Sequence, residues 1–194
     1  MASGNEEEKK EQSTSKTRIL IAVSHSSIKG YPHASISSDT AFHWVLDKLV
    51  KPTSSSIGHR REDFELSILH IQVPDEDGPD DDLDSVYESA SDFHSMKERE
   101  LTRGLHLLEH FVRICDDAKI PCKAWIKAGD PKELICKEAA KLQPDMLVLG
   151  SRGLKTMQRM FVGTVSLYCT THATCPVLVI KRKPQDTPDD PMDD

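Results

Sequence analysis

The sequence predicts a three-layer α/β/α fold built on one five-stranded parallel sheet. Three observations predict it. Short apolar runs alternate with longer stretches of helical periodicity along the chain, the order that gives parallel sheets with right-handed crossovers. Three of those runs are apolar throughout rather than at every second position, as strands buried on both faces are. The length, 194 residues, suits one well-buried core and is short for two.

The first strand is RILIAV, Arg18 to Val23. The second is FELSILHIQV, Phe64 to Val73, and the third, weaker, is CKAWIK, Cys122 to Lys127. DMLVLG, Asp145 to Gly150, is the fourth and PVLVIK, Pro176 to Lys181, the fifth. Helical patterns fill the gaps. In SSDTAFHWVLDKLVKP, Phe42, Val45, Leu46 and Leu49 recur at helical spacing, with Ser38 or Asp39 as the cap and Pro52 at the end. In the second helix Leu101, Leu105, Leu108, Val112 and Cys115 make one apolar face. The third opens with Asp130 as N-cap, Pro131 at the first helical position and Glu133 three residues after the cap. The last runs from near Gly163 to about His172. The expected domain is 17–183. Residues 1–16 and 184–194 read as disordered charged tails, and 74–92 as an acidic surface loop.

Composition narrows the function. The net charge of −7 weighs against general nucleic-acid binding, which needs a basic face. No apolar run approaches the roughly 20 residues that cross a bilayer, and the N-terminus lacks the apolar stretch of a secretory signal. A cytoplasmic location is expected, with the nucleus left open. The 5 cysteines are odd in number and form no C-x-x-C pair, so reduced thiols are expected rather than disulfides or zinc. His106, Glu109 and His110 match H-x-x-E-H, but both histidines point away from the apolar face and no third ligand is evident. The acidic Asp75–Gly78 stretch fails the register of a calcium loop. Ser24–His25 are neighbours in sequence without implying a nucleophile and its base, and Trp44 and Trp125 read as core or interface aromatics. No Walker loop, G-x-G-x-x-G or G-x-S-x-G is present. No catalytic residue and no metal ligand is assigned.

The chain holds 9 glycines, and three of them cluster in LVLGSRGLKTMQRMFVGTVS. Gly150 and Gly153 follow the fourth strand, and Gly163 and Thr164 open the last helix. Doubly wound sheets bind ligands beyond the carboxyl ends of their strands. A helix N-terminus offers unpaired N–H groups and a positive dipole end, and glycine lets an anion approach that backbone. Hydroxyls of Thr164 and Ser166 add donors, and Arg152, Lys155 and Arg159 add charge. The pattern reads as a phosphate cradle, or as tight turns with solvated cations.

The spacing G-x2-G-x9-G-[ST], met by Gly150, Gly153, Gly163 and Thr164, resembles the signature of nucleotide-binding universal stress proteins. RILIAVS, LHIQV, IKAGDP and CPVLVIKR resemble the strands of that family, from about Arg18 to Lys183, and YPHASISSDTAFHW resembles its plant branch. The resemblance implies a Rossmann-like, adenine nucleotide alpha hydrolase-like fold with strand order 3-2-1-4-5. It implies AMP or ATP across the ends of strands 1 and 4, over Ala22, Val23, Ser24, Leu149, Gly150 and Ser151. Main chain at Val73 holds the adenine, and Gly129 and Pro131 line the base pocket. Gly150, Arg152 and Gly153 lie toward the ribose and phosphates, and Gly163, Thr164, Val165 and Ser166 cradle the phosphates. The family often ends its first strand in Asp. Ser24 stands there instead, a poor ligand for a divalent ion, which puts Mg²⁺ in doubt. The resemblance also implies a homodimer through Val177, Leu178, Val179 and Ile180, a nucleotide-responsive stress regulator, and at most slow ATP hydrolysis. The competing readings are a nucleotide-independent or holdase-like scaffold and a slow ATPase.

Overall fold

The computed structural model describes residues 16–51, 61–73, 90–151 and 163–182. In chain order its elements are β1 (Thr17–Val23), β2 (His25–Ser26), β3 (Gly30–Ala34), α1 (Ile36–Val45), β4 (Phe64–Gln72), α2 (Ala90–Asp117), β5 (Cys122–Ala128), α3 (Pro131–Leu142), β6 (Met146–Ser151), α4 (Thr164–His172) and β7 (Val177–Lys181). The main sheet has the order β5-β4-β1-β6-β7, and all its pairings are parallel. Counted among its five strands, this is the expected 3-2-1-4-5.

The unbroken apolar run of β1 has a direct cause. Ile19, Ile21 and Val23 enter a core with Phe42 and Val45 of α1 and Leu107 and Phe111 of α2. Leu20 and Ala22 enter the opposite core with Ile135 and Ala139 of α3 and Cys169 of α4. Successive strand residues point to opposite faces, so helices on both faces demand apolar side chains at every position. The registers Val23↔His70 and Ala22↔Leu149 bring the carboxyl ends of β1, β4 and β6 to one edge of the layers. Chain order reverses about β1, whose two neighbours lead outward in opposite directions.

Three local expectations need correction. The cap of α1 is Ser35, whose hydroxyl accepts from the Ser38 amide at 3.2 Å. Ser38 and Asp39 lie inside the first turn instead, because Ser35 takes the extended backbone that a cap requires. On α2 the buried stripe is Gly104, Leu107, Leu108, Phe111 and Cys115, while Leu101 is 48% and Leu105 52% exposed and Val112 is exposed too. Gly104 decides this rotation: a Cβ there would meet Gln72 and Ile126 side-chain atoms at 2.9 Å, so α2 rests on the sheet at its bare position. The helix also begins at Ala90, inside the stretch expected to be loop. Pro52 lies outside the described residues, and α1 closes through a π-turn over Leu46–Val50.

The β2–β3 hairpin was not expected. It is antiparallel and stands beside the sheet. Tyr31 ties it down by donating its hydroxyl to His70 Nε2 at 2.7 Å, while His70 Nδ1 donates to the Val23 carbonyl at 2.9 Å. Burial pushes the His70 imidazole below its ordinary range, which favours the neutral ring that this one-donor, one-acceptor arrangement needs. The His25 ring stacks on Tyr31, centroids 4.3 Å apart.

Candidate functional site

A cleft of about 470 Å³ opens beyond the carboxyl ends of β1, β4 and β6. Its apolar lining comes from Ala22, Leu69, Ile71, Ile135 and Leu149, and its polar rim from Ser24, Ser37, Ser38 and Thr164. A concave, mostly apolar lining with a few polar groups is the usual build of a small-molecule site.

The starts of α3 and α4 both border this cleft, through Pro131 and through Thr164, Val165 and Ser166. They differ in chemistry. At α3, Asp130 Oδ1 accepts from the amides of Lys132 at 2.7 Å and Glu133 at 3.3 Å, so the terminus is closed by its own chain. At α4 the N-cap is Gly163, with no side-chain cap and no acidic residue in the first turn. Its backbone angles, φ −55 and ψ 152, suit any residue. A Cβ at Gly163 would meet nothing within 4 Å. Neither strain nor packing among the described residues requires glycine there, and the position lines the cleft.

Gly150 is different. A Cβ on it would sit 2.2 Å from the Ser37 carbonyl oxygen. This glycine lets the first turn of α1 lie against the end of β6, although it also borders the cleft.

The serines around this junction are bonded to one another. The Ser24 amide donates to Ser38 Oγ at 2.9 Å, and Ser24 Oγ lies 3.0 Å from Ser35 Oγ. Ser35 Oγ donates to Ser38 Oγ at 2.9 Å, and the Ser35 amide donates to the Ser24 carbonyl at 2.9 Å. Ser37 Oγ donates to the Ser151 carbonyl at 3.1 Å and accepts from Arg182 Nε at 2.8 Å. A guanidinium therefore stands behind the cleft, at the end of β7. Ser166 is buried and donates its hydroxyl to the Gly150 carbonyl at 3.2 Å, pinning α4 to β6.

Of the residues expected at the site, Ala22, Val23, Ser24, Val73, Pro131, Leu149, Gly150, Gly163, Thr164, Val165 and Ser166 line the cleft. Gly129 does not. It serves the turn into α3 with φ at +141, a conformation L side chains rarely adopt. Ser151 is buried behind the cleft. Arg152 and Gly153, with Lys155 and Arg159, lie outside the described residues. His25, Ser37, Ser38, Leu69, Ile71 and Ile135 line it without having been expected at the site. Leu69 and Ile71 were available from strand alternation, sharing a face as positions i and i+2. Ile135 was available from helical spacing, one turn after Pro131.

A second recess, about 490 Å³, lies across the hairpin and collects Lys29, His33, Asp39, His106, Glu109, His110 and Arg113. The H-x-x-E-H residues are here, and Asp39 bridges His110 at 3.3 Å and His43 at 3.4 Å. Among the described residues no group of three or more His, Cys, Asp or Glu side chains has the geometry of a metal site.

Comparisons with known proteins fit this architecture. A family model described as the universal stress protein family matches residues 17–181. A universal stress protein A-like protein of Arabidopsis thaliana is 50% identical over 178 residues, spanning 92% of this chain and 97% of its own. The crystal structure of an Arabidopsis thaliana universal stress protein family protein with AMP bound superposes with a TM-score of 0.68 at 44% identity, covering 92% of this chain and 99% of that one. The universal stress protein UspA from Lactobacillus plantarum shares the fold, with a TM-score of 0.55 at 22% identity over 84% of this chain and 97% of its own.

Proposed function

The chain belongs to the universal stress protein family, and from that membership and the cleft's construction we propose that it binds an adenine nucleotide, AMP or ATP. The observation that carries this reading is the start of α4: a helix end with no side-chain cap, whose N-cap Gly163 lines the cleft with no described atom within 4 Å of a Cβ built there. The amides there and the dipole behind them suit a phosphate. The adenine would lie on the apolar side, against Leu69, Ile71, Ile135 and Pro131 with Val73 at the edge, and the ribose near Ser24 and Ser38. The AMP carried by the Arabidopsis structure at 44% identity supports the same ligand class.

The Ser24 hydroxyl is engaged with Ser35 and offers no carboxylate, so the reading does not include tight Mg²⁺ coordination. Among the described residues, His25 is the titratable side chain in the cleft wall, and its ring is stacked on Tyr31. The site is accordingly read as one for binding, with the nucleotide biasing what partners meet in a stress response.

The test is native mass spectrometry of the purified protein with and without added AMP and ATP. Retained or added adenylate at one per chain is expected. A chain that stays empty and ignores both nucleotides would favour a nucleotide-independent scaffold instead.

We also propose a homodimer through β7. This strand ends the sheet on one side, and Val177, Leu178 and Val179 keep only partial cover within one chain. Exposed apolar edge strands require cover. Val179→Asp is expected to give a monomer in sedimentation velocity, and an unchanged dimer would count against this edge.

A further inference from the structure

We propose that Cys136 and Cys169 form a redox-active pair, joined into a disulfide by hydroperoxides, and that the bond lowers the nucleotide affinity of the adjoining cleft. The coupling rests on the nucleotide reading above; the bond itself does not.

The two residues are 33 positions apart in sequence and are brought together where α3 packs on α4, with sulfurs 3.9 Å apart. A disulfide needs about 2.05 Å, so the gap to close is about 2 Å, small enough for side-chain rotation plus a slight approach of the two helices. All five cysteines are free thiols. Cys136, Cys169 and Cys175 belong to the core on the α3–α4 face, whereas Cys115 and Cys122 belong to the other.

The pair is asymmetric in a way that orders the chemistry. Cys136 is half-buried and meets solvent, while Cys169 is fully buried. Burial and the neighbouring sulfurs push the Cys169 thiol up to about 12, so it waits as a thiol. The Cys136 thiolate attacks the peroxide: a sulfur–oxygen bond forms, the oxygen–oxygen bond breaks, and hydroxide or alkoxide leaves. The Cys169 sulfur then attacks the sulfenic sulfur of Cys136. The sulfur–sulfur bond forms, the sulfur–oxygen bond breaks, and the departing oxygen leaves as water with the Cys169 proton. Two electrons pass from the dithiol to the peroxide.

The bond would act on the cleft through both helices. Ile135, next to Cys136, is in the cleft wall, and Ser166, one turn before Cys169, holds the start of α4 to Gly150. Drawing α3 and α4 together moves the apolar wall relative to the uncapped helix end. Binding at that end depends on aligned amides, so a displacement of this order weakens it. By linkage, bound nucleotide opposes formation of the bond by the same factor.

The experiment treats the full-length protein with hydrogen peroxide, blocks residual thiols under denaturing conditions and maps the peptides by mass. A Cys136–Cys169 cross-link is expected, reversed by dithiothreitol and absent in Cys136→Ser. It should persist in Cys175→Ser and Cys122→Ser. Free thiols at both positions after treatment, or Cys136 overoxidised without a cross-link, would overturn the pair. Calorimetry with AMP then compares reduced and oxidised protein, and a loss of affinity of about fivefold or more, absent in Cys136→Ser, is expected. Equal affinity in the two states would overturn the coupling. If the reduced protein takes no AMP at all, the nucleotide reading and the coupling fail together, while the cross-link stands on the peptide map alone.

Discussion

Two helix ends face the same cleft and are built in opposite ways. The start of α3 is closed: Asp130 occupies its amides, Pro131 removes one donor, and Glu133 completes the first turn. The start of α4 is open among the described residues: Gly163 supplies no side-chain cap, and no described atom lies within 4 Å of a Cβ built on it. The start of α1 is closed as well, by Ser35. A side-chain cap is worth about 1 kcal/mol to a helix, so leaving one end without it costs stability that a bound anion can return. The contrast teaches that a missing interaction can say where to test for a ligand better than the interactions present.

The closed ends can be broken by mutation, and the effects are graded. The largest belongs to Gly150→Ala. The new methyl group would lie 2.2 Å from the Ser37 carbonyl oxygen, and backbone on both sides leaves no flexible chain to yield. The expected loss is about 3 kcal/mol or more, read by urea denaturation; a loss below about 0.5 kcal/mol would show that α1 does not depend on that approach. Asp130→Ala should be milder, costing about 1 kcal/mol while leaving AMP affinity nearly unchanged, since that end already holds its own carboxylate. A large loss of affinity from this variant would erase the distinction between the two ends.

The smallest effect concerns the hairpin that walls the cleft. His70 is held neutral by burial, below its ordinary value of 6.5. Above that value neither state binds the proton and its contribution is complete. As pH falls below 6.5 the unfolded chain takes up more protons than the folded one, and stability is lost as pH falls through the folded value. The advantage of wild type over His70→Gln in thermal melts should therefore shrink between about pH 7.5 and about pH 5.5. A gap that widened on acidification would contradict the neutral assignment.

The outline of this fold was written in the strands. Runs such as RILIAV and LVLG are apolar on both faces because each face meets helices, and that pattern survives in a single sequence. The cap of α3 was equally plain, since Asp130 and Pro131 stand alone at their positions. The cap of α1 was ambiguous because SISSD offers several candidates and only backbone geometry chooses Ser35. The rotation of α2 was hidden for another reason. Leu101, Leu105 and Val112 make a plausible stripe, but Gly104, which has no hydrophobicity to count, sets the contact by letting the helix come close. The hairpin carries no alternating pattern at all, and Tyr31 and His70, 39 residues apart, meet only in the folded chain. At the cleft, the glycine spacing pointed to the start of α4, which does border it, yet it read Gly150 and Gly163 together where the structure separates a packing glycine from one with no described atom within 4 Å of a Cβ.

The most direct test of the open end is calorimetric titration of AMP into wild type, Gly163→Val and Gly163→Asp, with melting temperatures measured beside each. Wild type should bind. Valine should fold normally and lose most of the affinity, and aspartate, by capping the helix with a negative charge, should lose more while melting no lower than wild type. Measurable AMP binding left intact in both variants, or none in wild type, would contradict the account.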